Sequence, residues 1–215
     1  MNFKDKEFAS FSIHEIKTSL QIIRGYLDLY FLEPNEKNKK VLQNEVDIIN
    51  NLSEKCLRFY QIKTAKNYLN LKKIDLISVL QEQFFSFAEK YPSHKFSAKN
   101  LKQNKIILID ADIFAFKELI KIFLENAINY SPKNQKIEID LEITKKQKII
   151  SIRNEGVGIK KSDQKEIFKP YFQVKKNKKY TGLSLAIAKE IARLHKFDLK
   201  LESDEKNYTK FLIII

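Results

Sequence analysis

The sequence predicts two structural units: an α-helical hairpin over residues 1–67, paired with a second copy as a dimeric four-helix bundle, and an α+β two-layer sandwich over residues 68–215. Three observations carry this expectation. Apolar residues recur at helical spacing on both sides of a proline-bearing turn near the N-terminus. Beyond residue 67 short β-branched or alternating segments take over. A chain of 215 residues is long for one compact domain and comfortable for two small ones.

Residues 3–32 carry the first stripe, Ile16, Leu20, Ile23, Leu27 and Tyr30, at alternating spacings of four and three. "EPNEKN", residues 33–38, stops it, because Pro34 cannot donate to a continuing helix. Leu42, Val46, Ile49, Leu52 (or Ser53), Cys56 and Phe59 form the second stripe. Two helices alone bury little apolar surface, so the hairpin is expected to complete its core as a homodimer. After the boundary near residue 67, strands are expected at 104–109, 136–143, 147–153, 197–202 and 209–215, with helices at 76–90, 112–130 and 183–195. Separated helices beside adjacent strand pairs imply helices on one face of a mixed sheet.

Composition narrows the class of protein. Hydrophobic residues make up 43% and charged residues 31%, the balance of a folded chain rather than a disordered one. The net charge of +13 suggests nucleic acid, but the arginines are only Arg24, Arg58, Arg153 and Arg193. Arginine is the preferred fork for bases and phosphates, so lysines spread over a surface imply no nucleic-acid partner. Cys56 is the sole cysteine, which excludes an internal disulfide and offers no metal spacing. No run approaches the length of a bilayer span, and "MNFKDKEFAS" lacks the apolar core of a signal peptide. The expected location is cytoplasmic, with membrane attachment only through a segment absent from this chain.

"FSIHEIKTSLQII", residues 11–23, holds the first chemistry. Positions 14, 17, 18 and 21 share a helix face, here His14, Lys17, Thr18 and Gln21, opposite the apolar stripe. An exposed neutral imidazole is a competent nucleophile toward phosphorus, and Glu15 beside it can accept the proton. Thr18, one turn on, can hold a water. An ordinary surface histidine among helix-forming residues would show the same local pattern. "HEIKTSL" as a whole, however, resembles the phosphoacceptor box of sensor histidine kinases, usually H-E-[LI]-K-T-P-L. The resemblance implies that His14 is the phosphorylated residue, Glu15 the base and Thr18 a residue for dephosphorylating the partner. Ser19 stands where that family has proline, which would bend the helix.

The second unit carries further landmarks of the same family in order. "ELIKIFLENAINYSP", residues 118–132, resembles the N box, implying that Asn126 ligates Mg²⁺ and that Tyr130 packs beside ATP. Ile122 replaces another asparagine, and Asn129, in the same site, stands where lysine is common. "RNEGVGI", residues 153–159, resembles the first glycine box, with Gly156, Gly158 and Ile159 in the adenine loop and Asn154 in place of an aspartate. "EIFKPYFQV", residues 166–174, resembles the F box through Phe168 and Phe172, and the lysine-rich "KKNKKY" after it corresponds to the lid. "TGLSLAIAKEIARLH", residues 181–195, resembles the second glycine box; Thr181, Gly182 and Leu183 would cradle phosphate at a helix start. Tyr180 and Ser184 replace its other glycines. The resemblance covers residues 8–215. It implies a histidine kinase/gyrase type ATPase sandwich, ATP and Mg²⁺ as cofactors, a homodimer, and transfer from His14 to an aspartate on a response regulator receiver domain. The thinned ligand set leaves a phosphotransfer adaptor with a degenerate nucleotide domain as the alternative. An ATPase of the gyrase and chaperone group would need a glutamate near position 122, where this chain has Ile122.

Overall fold

The computed structural model describes residues 3–64, 68–101, 105–174 and 180–215, with side chains from Ser12 onward. Two long helices, α1 (Phe3–Leu32) and α2 (Glu36–Thr64), form the hairpin. Pro34 ends the first, and the Asn35 side-chain oxygen accepts the Asn38 N–H at 2.8 Å, which starts the second. The turn therefore falls where the proline requires it. The expected boundary at residue 67 and most of the lysine-rich lid lie outside the described residues.

The second unit continues as β1 (Lys72–Asp75), α3 (Leu76–Lys90), β2 (Lys95–Lys99), β3 (Leu108–Ala111), α4 (Ile113–Asn129), β4 (Lys136–Ile143), β5 (Lys148–Glu155), α5 (Ser184–His195), β6 (Asp198–Asp204) and β7 (Tyr208–Ile214). Strands β2-β4-β5-β7-β6 make one mixed sheet in that order, parallel only between β2 and β4, and β1 pairs antiparallel with β3 in a small separate ladder. Ile137, Ile139 and Leu141 of β4 alternate inward, as do Ile150 and Ile152 of β5. Helix α4 answers them with Phe116, Leu119, Ile120, Phe123 and Leu124, all fully buried. Asp112 caps α4 by accepting the N–H groups of Phe114 and Ala115, each at 3.0 Å, while its other oxygen accepts the Asn70 N–H at 2.8 Å. The expected α+β sandwich is thus present.

Strands β1 and β2 escape a reading by hydrophobic pattern. "KKID" and "KFSAK" are short and lysine-rich, and β2 takes its extension from the parallel register with β4, Lys95 opposite Lys136. Strand β3 sits at 108–111 rather than 104–109 because its pairing with β1, not its own apolar run, sets its ends. Residue 104 itself lies outside the described residues.

The hairpin stripes are only half buried. Leu52 and Phe59 are inside, whereas Leu20, Leu27 and Val46 remain 53%, 38% and 45% exposed. Inward positions go instead to Ser12 and Ser19 of α1 and Glu45 of α2. Two helices can cover one stripe of each other, so the rest of each apolar face stays open within a single chain.

Candidate active site

Helix α1 holds His14 on its outer face, with the side chain 77% exposed. The ring Nδ1 lies 3.7 Å from the Glu15 carboxylate, itself part-exposed, so a small rotation closes a hydrogen bond between them. That orientation leaves Nε2 free in solvent. The Thr18 hydroxyl donates to the His14 carbonyl at 2.9 Å, one turn back along the helix.

The C-terminal unit presents a cleft of about 370 Å³ between the end of α4, the start of α5 and the segment following Ile167. Asn126, Asn129, Tyr130, Thr181 and Gly182 line it, which brings together five of the expected binding residues. The Asn126 amide donates to the Ile122 carbonyl at 2.8 Å. Its nitrogen is thereby anchored to its own helix, and the side-chain oxygen is left to face the cleft as a ligand suited to a hard cation. Asn129 Oδ1 accepts from the Tyr180 hydroxyl at 3.2 Å, and the Tyr130 and Tyr180 rings lie 6.4 Å apart. Gly182 has φ +67, and a Cβ there would sit 2.6 Å from the Tyr171 carbonyl carbon, so only glycine lets the two segments approach. Their contact is fixed by the Tyr171 N–H donating to the Gly182 carbonyl at 3.0 Å. Helix α5 starts without a side-chain cap, leaving its first N–H groups available at the cleft wall.

Other expected residues lie outside that lining. Leu183 is fully buried beneath the start of α5, its N–H donating to Thr181 Oγ1 at 3.3 Å. Asn154 is buried on β5, its amide donating to the Glu155 carbonyl at 3.4 Å. Gly156, Gly158 and Ile159 form a loop stapled to the β6–β7 turn. There the Gly156 N–H donates to the Asn207 carbonyl at 3.1 Å, and the Ile159 N–H to Ser203 Oγ at 2.9 Å. A Cβ on Gly158 would meet the Asp204 carbonyl oxygen at 2.1 Å, so this glycine serves close packing of the loop on that turn. Ile122 is buried and carries no group able to activate water.

The hairpin closes one side of the cleft. Asn51 and Lys55, four residues apart on α2, both line it, and Lys55 Nζ donates to Ser184 Oγ at 3.0 Å. Burial lowers the pKa of Lys55, with Glu125 opposing the shift and Lys121 adding to it. Further polar links hold the units together. Arg58 donates to Glu118 through Nε at 2.8 Å and again through its terminal nitrogen. Lys63 donates to Glu190 at 2.7 Å, and Ser12 Oγ and the Tyr171 hydroxyl are hydrogen-bonded. Burial pushes the Glu190 carboxyl up, but the bonds from Lys63 and Arg193 outweigh it and hold the group below its ordinary range. Sequence reasoning missed Asn51 and Lys55 because no motif marks them; docking of the hairpin alone makes them part of the cleft.

His14 is not in that lining. Ser12 and Ser19 turn toward the packed interior, and at 100° per residue His14 points about 200° away from Ser12. In this arrangement the imidazole and the cleft of one chain face different directions.

The chain thus joins a polar cleft, walled by an uncapped helix start and an asparagine-bearing helix, to a hairpin that displays an exposed histidine. Residues 111–215 match the family of histidine kinase-, DNA gyrase B-, and HSP90-like ATPases. The signal transduction histidine-protein kinase ArlS of Staphylococcus epidermidis is 29% identical over 221 residues, covering 98% of this chain and 48% of that relative. ArlS of Staphylococcus aureus strain USA300 is 30% identical over 227 residues, covering 98% and 49%. The chain spans about half the length of the curated relatives it matches. Among solved structures, the Acinetobacter baumannii histidine kinase AdeS superposes with a TM-score of 0.74 at 23% identity, over 94% of this chain and 96% of that one. Histidine kinase ThkA, crystallised in complex with response regulator protein TrrA, gives 0.77 at 22% identity over 97% and 60%. These two likenesses show the fold. Taken with the family match and the ArlS relatives, they show what the chain is similar to: the histidine kinase-, DNA gyrase B-, and HSP90-like ATPases over residues 111–215, and ArlS along nearly its whole length. No helix among the described residues is long and apolar enough to cross a membrane.

Proposed function

We propose that this chain is the catalytic core of a two-component sensor histidine kinase, with a dimerisation and phosphoacceptor unit over residues 1–67 and an ATP-binding unit over residues 68–215. The observation that carries the reading is the solvent-facing imidazole of His14 with a carboxylate 3.7 Å from Nδ1, on a helix joined to the polar cleft of an ATPase-family domain.

ATP occupies the cleft with its phosphates toward the start of α5, and the Nε2 lone pair of His14 attacks the γ-phosphorus. The bond from phosphorus to the β–γ bridging oxygen breaks, ADP leaves, and the Nδ1 proton passes to Glu15. Mg²⁺ held by Asn126 would neutralise charge on the phosphates. Asn129, Tyr130, Thr181 and Gly182 bind and orient the nucleotide, and Asn154 with the loop of Gly156, Gly158 and Ile159, outside the lining, supports the base end from behind, where Gly156 packs on the Tyr130 carbonyl. The phosphoryl group then moves from nitrogen to an aspartate oxygen of a response regulator receiver domain, with Thr18 near that site positioned to orient water for the reverse hydrolysis. Because His14 turns away from its own cleft, transfer requires either release of the docked ATP-binding unit or the cleft of a second subunit. The open stripe of Leu20, Leu27 and Val46 supports a homodimeric four-helix bundle. Dependence on ATP supports a cytoplasmic setting.

Labelled ATP and Mg²⁺ test the reading. Wild type should acquire acid-labile, base-stable label, and His14→Gln should acquire none. An unlabelled wild type that accepts phosphate from a phosphorylated regulator would be an adaptor instead.

A further inference from the structure

Among the described residues the nucleotide cleft is short of positive charge. Its charged lining among the described residues is Lys55 and Glu125, and Lys55 comes from the hairpin rather than from the ATP-binding unit. Without that ammonium the described wall would offer a polyphosphate one carboxylate and several neutral dipoles, which is a repulsive balance before any metal enters. With it, a half-buried cation sits at the start of α5, where unpaired backbone N–H groups already favour anions. Lys55 is one turn from Asn51 on the same face of α2, so both reach the cleft from one rigid helix. A second polar cavity of about 400 Å³ lies on the other side of Lys55, lined by Arg58, Glu118, Lys121 and Glu125 among others. Lys55 borders both cavities, and its ammonium carries three donors, one given to Ser184 Oγ and the others open to a phosphate oxygen in the cleft.

Building on the nucleotide reading above, we propose that Lys55 is a phosphate-positioning residue, so that the docked hairpin completes the ATP site in the same chain. Binding of nucleoside triphosphate and docking of the two units then reinforce each other. Ser184 holds the ammonium in place until phosphate displaces it. Asn51, neutral and adjacent, supplies a further donor to the same end of the ligand.

Calorimetric titration of the full chain with ATP, ADP and adenosine, each with Mg²⁺, tests this. Lys55→Ala should weaken ATP roughly 10–100-fold, the worth of a charge-assisted bond, and leave adenosine unchanged. Lys55→Arg should retain most of the ATP affinity. Equal ATP affinity in Lys55→Ala and wild type overturns the assignment, and so does equal weakening of ATP and adenosine, which would mean that the lysine only holds the units together. Failure of wild type itself to bind ATP overturns the nucleotide reading along with it, and is distinguishable because no variant is needed to see it.

Discussion

Removing Glu118 should loosen the docked hairpin and accelerate phosphorylation of His14 at saturating ATP. Arg58 grips one oxygen of Glu118 through two nitrogens, with the Nε contact at 2.8 Å. The side chains are 34% and 27% exposed, so this pair is neither a free surface bridge nor a dry one. Exposed pairs contribute about 0.2–1 kcal/mol and truncating a buried partner costs about 3–5 kcal/mol. A third of each side chain in water places this link between them, at about 1–2 kcal/mol. That amount shifts the ratio of docked to released molecules roughly 5–30-fold. Alanine is the best helix former, so Glu118→Ala leaves α4 itself intact.

Two measurements on the full chain read the effect. Small-angle scattering should report a larger radius for Glu118→Ala, and the initial rate of labelling at saturating ATP should rise. At low ATP the gain should shrink, because release withdraws Lys55 from the cleft and raises KM. Adding Arg58→Ala to Glu118→Ala should change little further, since the pair acts as one link. An unchanged radius with an unchanged rate would refute the reasoning. A rate that falls while the radius grows would show that the docked arrangement is itself the productive one.

Two further outcomes concern stability. Gly182→Ala places a side chain at φ +67 and within 2.6 Å of the Tyr171 backbone; strain plus displacement should total about 2–4 kcal/mol and lower the melting temperature by roughly 5–10 °C, a shift that calorimetry would detect. His195 is buried with Nδ1 donating to the Ile191 carbonyl at 2.8 Å and Nε2 accepting the Asp112 N–H at 3.1 Å, a pattern that only the neutral ring satisfies. Burial lowers its pKa below 6.5, and its bond to the Ile191 carbonyl with the charge of Asp112 offsets this only in part. The unfolded chain therefore binds the proton first: the contribution is fully present above about pH 6.5 and is lost as pH falls toward the folded value. Urea midpoints for wild type should drop between about pH 7 and pH 5 more steeply than for His195→Gln.

The parts of this fold legible in the sequence are those written in side-chain periodicity. Helices α1, α2 and α4 follow their apolar spacing closely, and Pro34 fixes the turn between the first two. Strands β1 and β2 were invisible because their extension comes from neighbours; nothing in "KKID" or "KFSAK" prefers a strand over a loop. The candidate site divides in the same way. His14, Asn126 and Gly182 stand out through motif and residue type; the first is exposed on α1 and the other two line the cleft. Lys55 did not stand out. One lysine in a chain of many acquires meaning only when α5 and α4 pack against it, and no local pattern encodes that approach.

Position 19 shows how a departure from motif can be read once packing is known. Proline there would remove an N–H from α1 and crowd the carbonyl one turn back. Serine leaves α1 continuous from Phe3 to Leu32, and its side chain is buried on the same face as Ser12, which bonds Tyr171. Two small hydroxyl residues, seven positions apart on the packed face, let that face of α1 lie close to its neighbours. A continuous helix then carries His14 outward, away from the packed face. Its reach toward any nucleotide must therefore come from movement of the ATP-binding unit or from the cleft of a second subunit, not from bending beside the histidine, and on the first route the polar links between the two units are where the rate should be set.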